Sequence, residues 1–317
     1  MPPNRRICSK DRLVRSADVD GEAFSTRFQP GLTPSDEEAG PSWWFAFKGH
    51  NLLVTQTDAA AEIPKTLSLS EVGVTALRTH YLGQLDGCRC FAAELPEGSA
   101  APAGMAFQGL RALFGLMDDL LFSVAGRAIQ IVNWDQTHQF CGRCGVRTEV
   151  KRDERARICP QCGHLSFPRL SPAVIVAVVR GSRILLAHAS HFPDGMYSVL
   201  AGFVEPGETL EECVQREVYE EVGLRLKNIR YFGSQPWPFP HSLMIAFTAE
   251  YAGGRIAIDG AEIADACWFT ANELPRIPGK ISIARRLIDW FVESGKEQVQ
   301  SARGEGVLMK TSHHRGT

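Results

Sequence analysis

The sequence predicts a mixed chain, an α+β domain followed by an α/β domain, with a small metal-bound unit between them. Three observations predict it. Four cysteines in two CxxC pairs, Cys141, Cys144, Cys159 and Cys162, mark off residues 137–169. A β-branched run, SPAVIVAVVR at 171–180, opens a stretch in which buried strands alternate with helices. Ahead of the cysteines, residues 41–135 mix short strand patterns with one helical segment and carry no chemical motif.

Residues 1–40 are rich in Pro, Gly, Ser and charge and read as a flexible arm. WWFAFKGHNLLV, from Trp43, reads as two short strands around a Lys-Gly-His turn. Residues 105–122 read as the helix of the first domain. The last domain spans 170–296. It opens with the 171–180 run, a Gly181-Ser182 turn and RILLAHA, a hairpin of buried strands. A helix is expected over 209–222, with Gly223 at its C-terminal cap. IRYFGS, SLMIAFTAEY and RIAI read as further strands, and residues 281–294 as an amphipathic helix. Residues 297–317 are polar and read as a disordered tail. No internal repeat is evident.

Of the 317 residues, 44% are apolar and 22% charged, enough for two ordinary cores. The net charge of −2 gives no global field for nucleic acid or membrane. The longest apolar run, 173–179, is too short to span a bilayer. The basic N-terminal residues have no apolar segment behind them, so a secretory signal is not expected. A cytoplasmic protein without a membrane partner is the expectation. Nine cysteines, an odd number, suit metal binding in a reducing compartment better than disulfides. Cys8, Cys88, Cys90, Cys213 and Cys267 have no evident role.

The two CxxC pairs are fourteen residues apart, and each is followed by glycine. That is the spacing of a four-cysteine zinc ribbon, with one structural Zn²⁺ per chain and no open coordination position. Residues 141–169 hold seven Lys or Arg against three acids, which suits phosphates of a long substrate such as a capped RNA.

GFVEPGETLEECVQREVYEEVGL, from Gly202 to Leu224, is the most informative segment. Glu217, Glu220 and Glu221 stand at i, i+3 and i+4 and share one helix face within about 100°. Like charges so close destabilise a helix unless a cation sits between them. Oxygen ligands suit Mg²⁺ or Mn²⁺, which can bridge phosphate oxygens and make a bound water more acidic. Arg216 can pair with Glu208 or Glu212. Gly202 and Gly207 allow backbone turns beside the site. A third motif, Ser234-Gln235-Pro236-Trp237-Pro238-Phe239-Pro240-His241-Ser242, alternates prolines with aromatics. Its rigid, extended backbone could hold ring faces against a flat base or pack them into the core.

The 202–224 spacing resembles the Nudix box, which implies an α/β/α sandwich with Glu217, Glu220 and Glu221 as metal ligands and the Ala201 carbonyl beside them. Ribbon, box and SQPWPFPxS in that order resemble the NADH pyrophosphatase family of zinc-ribbon Nudix hydrolases. The resemblance covers about residues 105–295. It implies hydrolysis of NAD(H) to nicotinamide mononucleotide and AMP, two or three Mg²⁺ or Mn²⁺ per site, a homodimer and, in some members, removal of NAD caps from RNA. Arg216 and Glu208 join the catalytic set, with Glu220 or Glu221 as base. Glu262 matches an additional metal ligand. Phe203 and Phe167 match aromatics that sandwich a ring of the substrate, and Ala284 a small pocket-lining residue. Glu154 and Arg111 match substrate contacts. The alternatives are the same chemistry on ADP-ribose, a dinucleoside polyphosphate or NAD-capped RNA, and a nucleotide-sensing binding module. Residues 1–135 could serve as a dimer interface.

Overall fold

The computed structural model describes residues 26–34, 40–57, 59–258 and 260–308. Cys8, most of the expected arm and residues 309–317 lie outside the described residues.

The first domain is one mixed sheet covered by a helix. Its strands are β1 (Phe28–Pro30), β2 (Ser42–Lys48), β3 (Asn51–Gln56), β4 (Ala61–Glu62), β5 (Lys65–Thr66), β6 (Arg78–Leu85), β7 (Cys88–Glu94) and β8 (Met105–Gly109). The helix α1 (Asp119–Thr137) starts where the Asp118 carboxylate accepts the backbone N–H of Leu120 and Leu121, both at 3.0 Å. It buries Val124, Ala128, Ile129 and Val132 against Phe45, Phe47, Leu52 and Leu82 of the sheet.

Two expectations for this region need correction. Residues 105–122 are not a helix. MAFQG pairs antiparallel with β3, Met105 opposite Thr55 and Gly109 opposite Asn51. Gly115 then turns the chain at φ +77, before the helix starts at its Asp118 cap. Part of the expected arm is also ordered: Phe28, only 3% exposed, pairs with Leu85 as β1.

The ribbon carries three two-residue strands, β9 (Glu149–Val150), β10 (Arg157–Ile158) and β11 (Leu165–Ser166), in the order β11-β10-β9. Among the described residues, none of the four apolar clusters draws on 138–169. Polar clamps fasten the ribbon to the first domain instead. Arg155 donates to the carbonyls of Gly31 at 2.6 Å and Tyr81 at 2.9 Å. Buried Arg157 pairs with Asp135 of α1 and donates to Thr148 Oγ1 at 2.7 Å. Asp135 also meets Arg78 at 3.0 Å and His80 at 3.6 Å. Burial pushes its carboxyl up, but His80 and Arg157 outweigh burial and hold it below its ordinary 3.8. Its stabilisation is therefore complete above the unfolded-state value and lost as pH falls through the folded one. Asp135→Asn leaves Arg157 buried without its counter-charge. The expected cost is about 3–5 kcal/mol, read by denaturant melts at pH 7, shrinking below about pH 4.

The last domain is built from β12 (Ser171–Arg180), β13 (Arg183–Ala189), β14 (Leu200–Phe203), α2 (Leu210–Val222), β15 (Leu224–Trp237), β16 (Ser242–Gly254), β17 (Ile263–Thr270) and α3 (Ile283–Leu308). The sheet order is β15-β16-β12-β13-β17, with β14 on β12. The β-branched run forms β12, paired in parallel with β16 from Ser171↔Ser242 to Val179↔Glu250. Val214, Val218 and Val222 of α2 cover one face, and Ile283, Leu287 and Ile288 of α3 cover the other. This is the expected α/β/α sandwich. RIAI is not a strand; β17 takes that place. α3 runs to Leu308, so the expected tail is helical through 297–308.

The two sheets repeat one another. In the first domain β6-β7-β2-β3-β8 follows the order that β15-β16-β12-β13-β17 follows in the second. Each has one parallel pair, β2 with β7 and β12 with β16, and each ends in a helix. A repeat is therefore present where none was evident in the sequence. The difference is local: α2 stands between β13 and β15, whereas only a 3₁₀ turn, Leu69–Val72, stands in the equivalent place of the first domain.

Candidate active site

Thr209 caps α2, accepting the N–H of Glu212 at 3.2 Å while the Glu212 carboxylate accepts the Thr209 N–H at 2.8 Å. Glu212 is thereby committed to the cap, and Arg216 pairs with Glu208, Nε at 2.7 Å and the second nitrogen at 2.9 Å. That pairing holds the Glu208 carboxyl down at about 2. Arg216 also reaches the Phe203 carbonyl at 3.0 Å, and one nitrogen reaches both Glu217 and Glu220 at 2.9 Å. One guanidinium thus ties loop, strand β14 and two box glutamates together.

Gly202 is there for space, not for a turn. Its φ is not left-handed, and a β-carbon on it would lie 1.8 Å from Glu217 Cδ. Only glycine lets the Glu217 carboxylate lie on β14 beside the Ala201–Gly202 backbone. Gly207, at φ +87, is the position that needs glycine for its turn. Gly202→Ala displaces the carboxylate by more than an ångström. Turnover is expected to fall by about 10² at saturating metal with the circular dichroism spectrum retained.

Burial raises the Glu217 carboxyl above its ordinary value against the pull of Arg216, and the charges of Glu220 and Glu262 push it further. Glu262, exposed in the bend just before β17, therefore acts on the same cluster. Ser190 holds its segment, donating to the carbonyls of Ala261 at 3.1 Å and Glu262 at 3.0 Å. Glu221 is 7% exposed and Glu220 57%. These carboxylates outnumber the single Arg216 among them, and hard oxygen donors of this kind fit a divalent cation. Phe203 is 60% exposed beside the box.

The four cysteine sulfurs lie within 4.8 Å of one another, with Cys141–Cys162 and Cys144–Cys162 at 3.6 Å and Cys144–Cys159 at 3.4 Å. Four thiolates about 2.3 Å from one zinc stand about 3.8 Å apart, so the set fits Zn²⁺. Backbone amides prepare it: the Arg143 N–H lies 3.3 Å from Cys141 Sγ, and the Cys162 N–H takes the Cys159 thiol down to about 6. The Val146 N–H lowers Cys144, yet the neighbouring thiols, Cys159 foremost, push it up to about 12.

The proline-aromatic segment divides its residues. Ser234 to Trp237 form the end of β15, and Pro238 to His241 turn into β16. Gln235 donates to the Ile281 carbonyl at 2.8 Å and accepts the Ile283 N–H at 2.7 Å, fastening β15 to the start of α3. Ser242 and Ala284 are buried, at 7% and 6% exposed. Trp237 and Phe239 meet edge to face at 5.1 Å, and Arg111 of the first domain lies 4.4 Å from the Phe239 ring centre and 5.7 Å from that of Trp237. Phe239 packs on the first domain's core. Arg111 thus acts on the motif's own rings. Glu154 lies 3.3 Å from Lys151 on the ribbon surface. Phe167, 53% exposed, follows β11 at the ribbon's edge.

Family models match the whole of this arrangement. Residues 41–134 match the NADH pyrophosphatase-like rudimentary NUDIX domain, 136–167 the NADH pyrophosphatase zinc ribbon domain and 169–291 the NUDIX domain. The chain is 46% identical to the NAD-capped RNA hydrolase NudC of Chromobacterium violaceum over 78% of its own length and 91% of that protein. It is 47% identical to the protein of that name from Deinococcus radiodurans, over 73% and 81%. The chain belongs to the NADH pyrophosphatase family of Nudix hydrolases. A crystal structure of a NUDIX hydrolase from Nitrosomonas europaea is 22% identical and superposes with a TM-score of 0.43, over 51% of this chain and 93% of that one.

As a member of this family the chain is a metal-dependent hydrolase of diphosphate bonds, and the ribbon is its structural zinc unit. Among the described residues, no helix is long and apolar enough to cross a membrane. The rudimentary NUDIX domain is the repeated sheet of the fold, without a box helix. Sequence reasoning missed that relationship, because 57–77 keeps only Glu71-Val72-Gly73, the counterpart of Glu221-Val222-Gly223, and lacks the rest of the box's glutamate spacing. It also missed Ser190, which no motif marks.

Proposed function

We propose that the box of this hydrolase cleaves the diphosphate of NAD(H) to nicotinamide mononucleotide and AMP. The observation that carries the proposal is the notch at Gly202, which the Glu217 carboxylate fills, on a helix that also carries Glu220 and Glu221 and within the charge field of Glu262. These four, with the Ala201 carbonyl, would hold two or three Mg²⁺ or Mn²⁺. Such cations, when bound, neutralise the diphosphate and make water more acidic. The chain's own residues then do the positioning. Arg216, anchored by Glu208, keeps Glu217 and Glu220 in register. Glu221, the most buried of the three box glutamates, accepts the proton of the attacking water, with Glu220 the alternative. Phe203 and Phe167 offer exposed ring faces for a base. Gln235 holds the SQPWPFPxS strand to α3, so the segment sets the pocket's shape more than it touches the bond cut.

The curated relatives named NAD-capped RNA hydrolase support a second substrate, the NAD cap of RNA, and the ribbon's basic excess supports the same extension. The exposed Phe140, Phe167 and Leu170 support a homodimer, and the composition a cytoplasmic setting. Rates on NADH, NAD-capped RNA and ADP-ribose, measured side by side, test the substrate. The two NAD compounds should exceed ADP-ribose; ADP-ribose as the best substrate would overturn the assignment.

A further inference from the structure

Glu262 differs from the other acids of the cluster in what holds it. Glu217, Glu220 and Glu221 stand on one helix, and Arg216 ties the first two. Glu262 stands in the bend just before β17, and its charge repels that of Glu217. Repulsion moves an acid on an unfixed bend away from its neighbours. A cation that draws it back must then order the bend, at a cost in backbone entropy.

Two features fix this bend in advance. The first is a β-bulge. β13 and β17 pair in step from Arg183↔Thr270 to His188↔Asp265, but Ala189 then pairs with Ile263, which leaves Ala264 as an extra residue. A bulge bends its strand and changes where the next residues point. Both sides of this one are anchored. Tyr197 donates to the Asp265 carboxylate at 2.6 Å, and Ile263, buried, packs in the core under α2. The second feature is Ser190, the residue after Ala189. Its N–H donates to the Glu262 carbonyl at 2.9 Å. Its hydroxyl lies 3.0 Å from the same carbonyl and 3.1 Å from that of Ala261. A hydroxyl has one proton to give, so the two carbonyls share it. On the far side Gly260 turns the chain at φ +73. Residues 260–264 thus run between a turn and a bulge, with Ser190 clamping the middle. Ser190 is exposed, so it fills no space in a core. Its backbone bond needs no particular side chain. What serine adds at this position is the hydroxyl on the two carbonyls.

We propose that Ser190 is the positioning residue of Glu262: its hydroxyl holds the bend beside the box, and so sets how tightly the cluster binds a divalent cation that needs the Glu262 carboxylate. The proposal rests on the reading of Glu262 as a metal ligand. Ser190 touches neither the cation nor the substrate. It acts through the backbone of Ala261 and Glu262, so its effect belongs to Glu262 alone and leaves the acids carried by α2 as they are.

Mn²⁺ binding to the zinc-loaded full chain without substrate, followed by electron paramagnetic resonance of the free ion, tests this. The proteins are wild type, Ser190→Ala, Ser190→Thr, Glu262→Gln and the double variant Ser190→Ala/Glu262→Gln. Glu262→Gln identifies the binding component that depends on Glu262. Ser190→Ala is expected to weaken that same component about threefold to tenfold, the size of one lost hydrogen bond, with the melting temperature in EDTA unchanged. Ser190→Thr keeps the hydroxyl and should restore wild-type binding. In the Glu262→Gln background Ser190→Ala should change nothing further, because the two act on one component. Wild-type Mn²⁺ binding by Ser190→Ala, beside weakened binding by Glu262→Gln, overturns the role of Ser190. Equal weakening by Ser190→Ala in both backgrounds overturns it too, since the effect then does not pass through Glu262. Wild-type binding by Glu262→Gln removes Glu262 from the ligand set and the proposal with it. None of these readouts depends on which substrate the box cleaves.

Discussion

Glu221→Gln is expected to lower turnover on NADH by about 10²–10⁴ while the protein remains folded. The size follows from the role: a carboxylate that takes a proton in the transition state is replaced by an amide of the same shape that cannot. The fold survives because the change removes a buried charge without changing volume, in a helix whose apolar face, Val214, Val218 and Val222, is untouched. Retained circular dichroism and zinc content, with a lost rate at saturating metal, is the predicted pattern. Glu220→Gln separates the two candidate bases. Glu220 is half-exposed and held at 2.9 Å by Arg216, so its loss should weaken metal affinity more than it slows the saturated step. A fully active Glu221→Gln enzyme would move the proton to Glu220.

Removal of zinc should have the second largest effect, on structure before chemistry. The ribbon's strands are two residues long and no apolar cluster reaches into it among the described residues. Its order rests on four sulfurs and on the Arg155 and Arg157 clamps. A structural zinc supplies about 10–16 kcal/mol of folding free energy in such units. Cys159→Ala should therefore bind less than stoichiometric zinc and melt in two steps, the ribbon first. Phe167 and Arg169 follow the last ribbon strand, so the box domain should also lose activity although its own sheet persists. Zinc content by atomic absorption, alongside protease sensitivity at residues 141–169, reads both effects.

The sequence made some features legible because their chemistry is local. The capped helix needs only Thr209, Glu212 and Gly223, all within fifteen residues, and α2 begins and ends at them. The cysteine spacing likewise contains the ribbon. The reason for Gly202 was not legible in the same way. Its glycine is required by a side chain fifteen positions away, a contact that exists only once β14 lies on α2. The 105–122 segment misled for a related cause: MAFQG has no strong period of its own, and β3 decides its conformation. The repeat of the first sheet was hidden because strand order leaves no residue signature, and the one segment that has a signature, the box, is missing from that copy.

In the hairpin, the alternation of proline and aromatic could not say which rings face a ligand. The structure gives Trp237 and Phe239 to Arg111 and the first domain, and leaves Phe203 and Phe167 exposed. Rings that hold two domains together shape a site as surely as rings that stack on a base.

The most direct measurement is product analysis after incubation of the purified chain with NADH and Mg²⁺ or Mn²⁺, with EDTA as control. AMP and reduced nicotinamide mononucleotide are expected in equal amounts, and neither with EDTA. An intact dinucleotide in every arm, from a folded and zinc-loaded protein, would contradict the assigned reaction.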